Sequence, residues 1–439
     1  METIEQLRSG ELLGIRRLKL RCGLTSFPEE IFNLAETLEI LDLSGNSLSE
    51  IPKDIIRLPK LKILFLSDNN FTIFPEVLSQ CSKLEMIGFK NNQLNEMGEN
   101  SLPPKTRWLI LTNNKLKTIP RSIGKCHRMQ KLMLAGNQLS SLPDELGNCK
   151  NLGLLRIAAN KLSALPEWLF TMPKLSWLAF SGNPFCKSVN TDTIDFEQID
   201  WNELSIKHKL GEGASGIIWK ANWKRGTKRI PVAVKIFKGD VTSDGLPDDE
   251  MNACILAGSH PNLVNVLGKI KENEDHKKGL VLSLIPPHYK ILGTTPSFDS
   301  CTRDVYEKGT AFSLHTILEI AKGMASVTEQ LHEHGINHGD LYAHNILIHD
   351  SGVDVHPLLG DFGAASLYDK EDKKTATALE RIEVSAFGCL LDDLLTHIAL
   401  EDSQNEKYHS LIILKEKCLD EQILQRPNFK EICMLLERL

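Results

Sequence analysis

The stretch LEILDLSGNSLSEIP at residues 38–52 returns as LKILFLSDNNFTIFP at 61–75 and as MQKLMLAGNQLSSLP at 129–143. Three features recur in phase: an apolar pair two residues apart, an asparagine just beyond it, and a proline after that. The asparagines are Asn46, Asn69, Asn92, Asn114, Asn137, Asn160 and Asn183, at intervals of 23, 23, 22, 23, 23 and 23 residues. Their apolar pairs are Leu41/Leu43, Leu64/Leu66, Ile87/Phe89, Leu109/Leu111, Leu132/Leu134, Leu155/Ile157 and Leu178/Phe180. A shorter first unit, LKLRCGLTSFP, occupies residues 18–28. A repeat of this length yields one short strand that cannot bury its apolar side alone, so the strands must stack in parallel. An asparagine at each bend can satisfy backbone groups of the adjacent coil. The proline turns the chain and removes an N–H that needs no partner.

Residues that alternate with the apolar anchors face outward. One outward column reads Arg17, Ile40, Ile63, Met86, Trp108, Lys131, Leu154, Trp177; the next reads Lys19, Asp42, Phe65, Gly88, Ile110, Met133, Arg156, Ala179. These columns are apolar for solvent-facing strands, and large apolar patches mark partner sites. Phe65, Trp108, Ile110, Met133 and Trp177 are therefore the expected protein-binding stripe. The alternative is that they cover one another or pack on the rest of the chain. The pattern over residues 15–185 resembles the leucine-rich-repeat family. That resemblance implies an α/β solenoid, a horseshoe of parallel strands.

Composition narrows the class. The chain has 439 residues, 41% hydrophobic and 25% charged, as a globular chain does. A net charge of -6 gives no broad pull toward nucleic acid or an anionic membrane. The N-terminus lacks the apolar core of a signal peptide, and the longest apolar run, near Leu280–Ile285, is too short to span a bilayer. A cytoplasmic location is expected. Cys81, Cys126 and Cys149 share one repeat slot with Leu58 and Met172, which reads as a buried apolar slot rather than a metal or disulfide site.

The periodicity stops after Asn183. The expected domains are 1–185 for the repeats, 186–202 as a polar linker and 203–439 for a second domain. The second domain opens with LGEGASGII, carrying Gly211, Gly213, Gly216 and Ile218. Glycines admit phosphate close to backbone N–H groups. A strand-like IIWKANWKRG follows, and then VAVK with Ala233 and Lys235. Further on come EMNACILAGSHPN with Glu250, LVLSLIPP with Leu282, INHGDLYAHN with His338, Asp340 and Asn345, GDFG with Asp361, EVSAFG, and the terminal CLDEQILQRPNFKEI.

In this order the motifs resemble the signature set of eukaryotic-type Ser/Thr/Tyr protein kinases. The whole layout looks like the bacterial leucine-rich-repeat protein kinases. The resemblance implies an α+β two-lobed fold that binds ATP and Mg²⁺. Lys235, oriented by Glu250, is expected to hold the α/β-phosphates. Asp340 is expected to accept the proton of the attacking hydroxyl, and Asn345 and Asp361 to hold the metal. The solenoid is expected to recruit a protein partner or substrate.

The chain departs from that set in three places. HRD is HGD, with Gly339 in place of an arginine that reads activation-loop phosphate. Phosphorylation there should then not be the main switch, and Ser366, Tyr368, Thr375 and Thr377 should be dispensable. Tyr342 and His344 stand where other kinases carry Lys or Arg, so the hydroxyl class stays open; a protonated His344 could balance γ-phosphate charge. Only 22 residues separate Asp361 from Glu383, and APE is missing, with Glu380 a substitute partner for Arg426. HGD and a reduced peptide shelf also fit a small-molecule kinase of the aminoglycoside-phosphotransferase type. An ATP-binding scaffold without turnover is a further alternative.

Overall fold

The computed structural model describes residues 2–186, 196–213, 215–239, 241–242, 244–271 and 278–439. Most of the expected linker, residues 187–195, lies outside the described residues, as does Ala214 of the glycine-rich stretch. The chain divides into two units: Met1–Leu175 with Asn183–Phe185, and Ser176–Gly182 with Cys186–Leu439. The strand of the last repeat thus belongs with the second unit, whereas the sequence pattern places it in the first.

A short helix α1 (Ile4–Ser9) opens the first unit, closed at its start by a reciprocal cap between Thr3 and Gln6. Three-residue strands follow: β1 (Arg17–Lys19), β2 (Ile40–Asp42), β3 (Ile63–Phe65), β4 (Met86–Gly88), β5 (Trp108–Ile110), β6 (Lys131–Met133) and β7 (Leu154–Arg156). They pair in parallel at a constant register, Leu41 beside Leu64 beside Ile87 beside Leu109 beside Leu132 beside Leu155. Proline-led 3₁₀ turns return most coils.

The asparagine ladder is the hydrogen-bonding spine. Asn137 Oδ1 accepts from Leu116 N at 3.1 Å, while its Nδ2 donates to Leu111 O and Leu134 O, both at 2.9 Å. Asn69, Asn92, Asn114 and Asn160 repeat the arrangement one coil at a time. Cys81, Cys126, Cys149 and Leu58 fill one buried slot, and burial pushes the Cys126 thiol up to about 11.

In the second unit, β8 (Trp177–Ala179) precedes β9 (Gln198–Ile199) and a hairpin-rich sheet. Its other strands are β10 (Leu204–Glu212), β11 (Gly216–Arg225), β12 (Lys228–Phe237), β13 (Val266–Ile270) and β14 (Gly279–Ser283), in the order β10-β11-β12-β14-β13-β9. Helix α2 (Pro247–Ala257) lies between β12 and β13 in sequence. A helical half follows, with α3 (Leu314–Glu333), α4 (Lys373–Thr396), α5 (Glu406–Cys418) and α6 (Phe429–Glu437). Two small sheets sit within it: β15 (Lys290–Ile291) beside the β17 (Ile346–Asp350) and β18 (Val355–Leu359) hairpin, and β16 (Ile336–Asn337) beside β19 (Ser366–Leu367). No helix among the described residues is long and apolar enough to cross a membrane.

Candidate active site

Strand register builds the cleft. Ile218 of β11 lies opposite Lys235 of β12, and Ala233 lies opposite Leu282 of β14. Alternation then presents Ile218, Ala233, Lys235 and Leu282 on one face of the sheet. They line a cleft of about 710 Å³ together with Gly211, Gly213, Gly216, Glu250, Asp361 and Phe362. Gly216 has a steric reason, because a Cβ there would stand 2.6 Å from Ile236 O. Gly211 and Gly213 have open space on their Cβ side.

Helix α2 begins with Pro247 in its first turn, which places Glu250 one turn in, 2% exposed. Its carboxylate is paired with the Lys235 ammonium. Burial alone would pull that ammonium down, but Glu250 and Asp361 outweigh it and hold its pKa above the ordinary lysine value. Cys254, one turn beyond Glu250, also lines the cleft.

The catalytic loop leaves β16 and enters β17. Asn345 Nδ2 donates to Asp340 Oδ2 at 2.8 Å and to Asp340 O at 2.9 Å, which fixes the Asp340 carboxylate. His338 Nε2 meets Gly360 O at 3.1 Å, and its ring stands edge-on to Phe362 at 5.1 Å. Asp361 follows β18 with φ +51 and accepts from Gly363 N at 3.1 Å. The two proposed metal ligands suit a hard cation. Asp361 brings a carboxylate, and Asn345 has its amide nitrogen committed to Asp340, which leaves the carbonyl oxygen as the ligand atom.

Several contributors have little or no signal in the linear sequence. Glu383 of α4 is completely buried, and its carboxylate accepts from His338 N at 3.1 Å and Gly339 N at 2.7 Å. His332 Nε2 lies 2.9 Å from the same carboxylate, and His332 Nδ1 meets the Tyr368 hydroxyl at 2.8 Å. Asp304 holds His344 through both its ring, at 2.7 Å, and its backbone N–H, at 2.9 Å. Burial opposes a charge on His344, but Asp304, Asp340 and Asp361 outweigh it and raise its pKa. Only EVSAFG pointed toward Glu383, and nothing pointed to Asp304 or His332.

Four expectations need correction. Trp177 is 3% exposed, because its indole stacks on Tyr342 within the second unit, so it is not an open partner surface. Phe65, Trp108, Ile110 and Met133 are half-buried rather than exposed; Phe65 folds over Gly88, and Lys131 Nζ lies 4.5 Å above the Trp108 ring. Ser366 and Tyr368 are buried and hydrogen-bonded, so they are structural rather than dispensable. Glu380 Oε1 accepts from Phe429 N at 2.9 Å, starting α6, while Arg426 donates to Asp420 O and Arg381 O.

Residues 204–399 match the family described as protein tyrosine and serine/threonine kinase. Residues 15–71, 36–94 and 127–185 match leucine rich repeats. A probable serine/threonine-protein kinase of Dictyostelium discoideum is 32% identical over 182 residues, 41% of this chain and 10% of that protein. The serine/threonine-protein kinase PkaA of Streptomyces coelicolor is 29% identical, over 37% of this chain and 30% of its own length. The angiopoietin-1 receptor of Danio rerio is 25% identical, over 57% of this chain and 26% of its own length. The chain therefore spans less than a third of each of these relatives, which come from an amoeba, a bacterium and a fish, so the resemblance is not tied to bacteria. The chain is built of leucine-rich repeats followed by a protein tyrosine and serine/threonine kinase domain.

Proposed function

We propose that this chain is an ATP-dependent protein kinase that acts in the cytoplasm, with residues 203–439 as the catalytic domain. One observation carries the reading. Lys235 is paired with Glu250, Asp361 lies in the same cleft, and Asp340 is fixed by Asn345, whose backbone oxygen accepts from Gly360 N beside Asp361, so the groups come together from four separate stretches of chain. Phosphoryl transfer needs positioning and charge stabilisation more than covalent help, and this is the apparatus for both. The β10–β11 glycines let triphosphate approach the backbone. The Lys235 ammonium balances the α/β-phosphate oxygens, held in place by Glu250. Asp340 takes the proton of the attacking Ser, Thr or Tyr hydroxyl. Asn345 and Asp361 would hold Mg²⁺, which when bound would supply electrostatic stabilisation of phosphate charge.

Leucine-rich repeats generally mediate protein contacts, and the concave face of the array is the proposed partner or substrate site. Phe65, Trp108, Ile110 and Met133 are its centre. The test is γ-labelled ATP with the unsubstituted chain and with Asp340→Asn, followed by mass spectrometry of the labelled product. The reading expects phosphoprotein from the former and at least a hundredfold less from the latter, on the order of the range for a general base. Label in a small molecule instead would favour the aminoglycoside-type alternative, and no label at all would leave a nucleotide-binding scaffold.

A further inference from the structure

The second unit includes Ser176–Gly182, and that segment lies along the catalytic loop. Ser176 Oγ donates to Ser385 Oγ at 2.8 Å, and Trp177 Nε1 donates to Leu341 O at 3.2 Å. The Trp177 indole stacks flat on Tyr342, with centroids 4.3 Å and planes 7° apart. Asn337 Nδ2 donates to Leu178 O at 2.8 Å. The N–H groups of Phe180 and Ser181 both donate to Ser366 Oγ, at 2.9 and 3.1 Å. Gly339 completes the fit: its φ is +71, and a Cβ there would stand 2.5 Å from Leu178 O and 2.8 Å from Ala364 O. No larger residue fits position 339 while the segment is in place.

The three departures from the kinase pattern then share one cause. Gly339 makes room for the backbone of the segment. Tyr342 offers a ring for the indole. The short stretch after Asp361 carries Ser366 into β19, where its hydroxyl receives two N–H groups.

The geometry points to Ser176–Gly182 as a fixed part of the catalytic framework, with Trp177 a positioning residue that holds Leu341–Tyr342 and, through them, Asp340. The segment takes the place of a phosphate read by the missing arginine. The competent phosphotransferase therefore begins at Ser176 rather than at 203. This rests on the kinase reading above.

The experiment uses the full chain. Trp177→Ala lowers kcat on the order of tenfold to hundredfold, the loss that follows a displacement of about 1 Å. The Kd for ADP stays unchanged, because the nucleotide cleft does not include Trp177. Trp177→Phe keeps a ring over Tyr342 and restores most of the kcat. An unchanged kcat in folded Trp177→Ala overturns the inference. The unsubstituted chain gives an independent measurement that no folding defect can confuse. Amide hydrogen exchange should show 177–181 and 337–345 opening as one cooperative unit. Free exchange of 177–181 beside a protected loop overturns the inference as well. A chain that binds ADP yet never transfers phosphate refutes the kinase reading instead, and the exchange result still judges the segment.

Discussion

Replacing Glu383 tests how the catalytic loop is held. Its carboxylate is fully buried and is the acceptor for two backbone N–H groups, His338 at 3.1 Å and Gly339 at 2.7 Å, with His332 Nε2 at 2.9 Å. Glu383→Ala leaves both N–H groups buried without an acceptor, at about 1–3 kcal/mol each. It also strips His332 of its partner, so the total is about 4 kcal/mol, in the range for breaking a buried pair. Glu383→Gln keeps the shape and one acceptor oxygen, satisfies one of the two donors, and costs about 2 kcal/mol. Glu383→Asp is the informative variant, because it keeps the charge and shortens the side chain. It withdraws the charge by one bond, about 1.5 Å, which takes both contacts out of hydrogen-bond range. A buried charge without partners should then cost more than the neutral glutamine.

The assay is urea unfolding read by pulsed hydrogen exchange of a peptide covering 336–346. It reports this region apart from the repeats, which a two-unit chain requires. The stability order expected is Glu, Gln, Ala, with Asp at or below Ala. An aspartate variant more stable than the glutamine variant would refute the geometric argument. The pH dependence follows from the same contacts. Burial alone would raise the Glu383 pKa, but His332, His338 and the Gly339 N–H outweigh it and lower it below the ordinary glutamate value of 4.5. A lowered folded-state pKa means the stabilisation is complete above about 4.5 and is lost as pH falls through the lower folded value. Glu383→Gln should flatten that acid limb.

Four further outcomes follow. Asn137→Ala removes the acceptor of Leu116 N and the donor to Leu111 O and Leu134 O, so the repeat unit should lose about 2–4 kcal/mol in thermal or urea unfolding. A loss below about 0.5 kcal/mol, the scale of ordinary surface changes, would mean the ladder is not structural. Lys235→Met should leave Glu250 buried without its cation and lower both ADP affinity and melting temperature, whereas a change confined to kcat would argue against the buried pair. Thr375→Ala with Thr377→Ala should leave kinase activity intact, since Thr375 only caps the start of α4 through Asp372, and loss of activity would restore a phosphorylation switch. Trp108→Asp with Met133→Asp in the full chain should abolish phosphorylation of a recruited protein and spare that of a short peptide; equal loss for both would place these residues outside recruitment.

What the sequence reveals depends on whether chemistry repeats or travels in linear motifs. The asparagine ladder was legible because each coil poses the same backbone problem and answers it with the same amide. The cysteine slot was legible for a related reason: Cys81, Cys126 and Cys149 occupy the phase of Leu58 and Met172, and all are buried. The Lys235–Glu250 and Asp340–Asn345 pairs were legible as ordered motifs. Contacts that join unrelated spacings were not. Tyr368, His332 and Glu383 come from three separate stretches of chain, and Asp304 reaches His344 across 40 residues. Alternation along a strand gives the direction of a side chain but not what it meets. Trp177 therefore read as outward-facing, and the ring of Tyr342 could not be foreseen.

The loss of the HRD arginine looks at first like the loss of a control point, but the loop needs nothing from a side chain at that position. His338 N and Gly339 N are both satisfied by Glu383. Asn337 Nδ2 is satisfied by Leu178 O, and Asp340 is oriented by Asn345. The two bonds that Glu383 accepts run to backbone amides, which any residue but proline could donate. What position 339 must provide is a positive φ and empty space beside Leu178 O and Ala364 O, and glycine alone offers both at no steric cost. An arginine there would bring a Cβ into collision with two carbonyl oxygens. Glycine is therefore the residue that this loop selects on packing grounds, and its presence carries no sign of a degraded site.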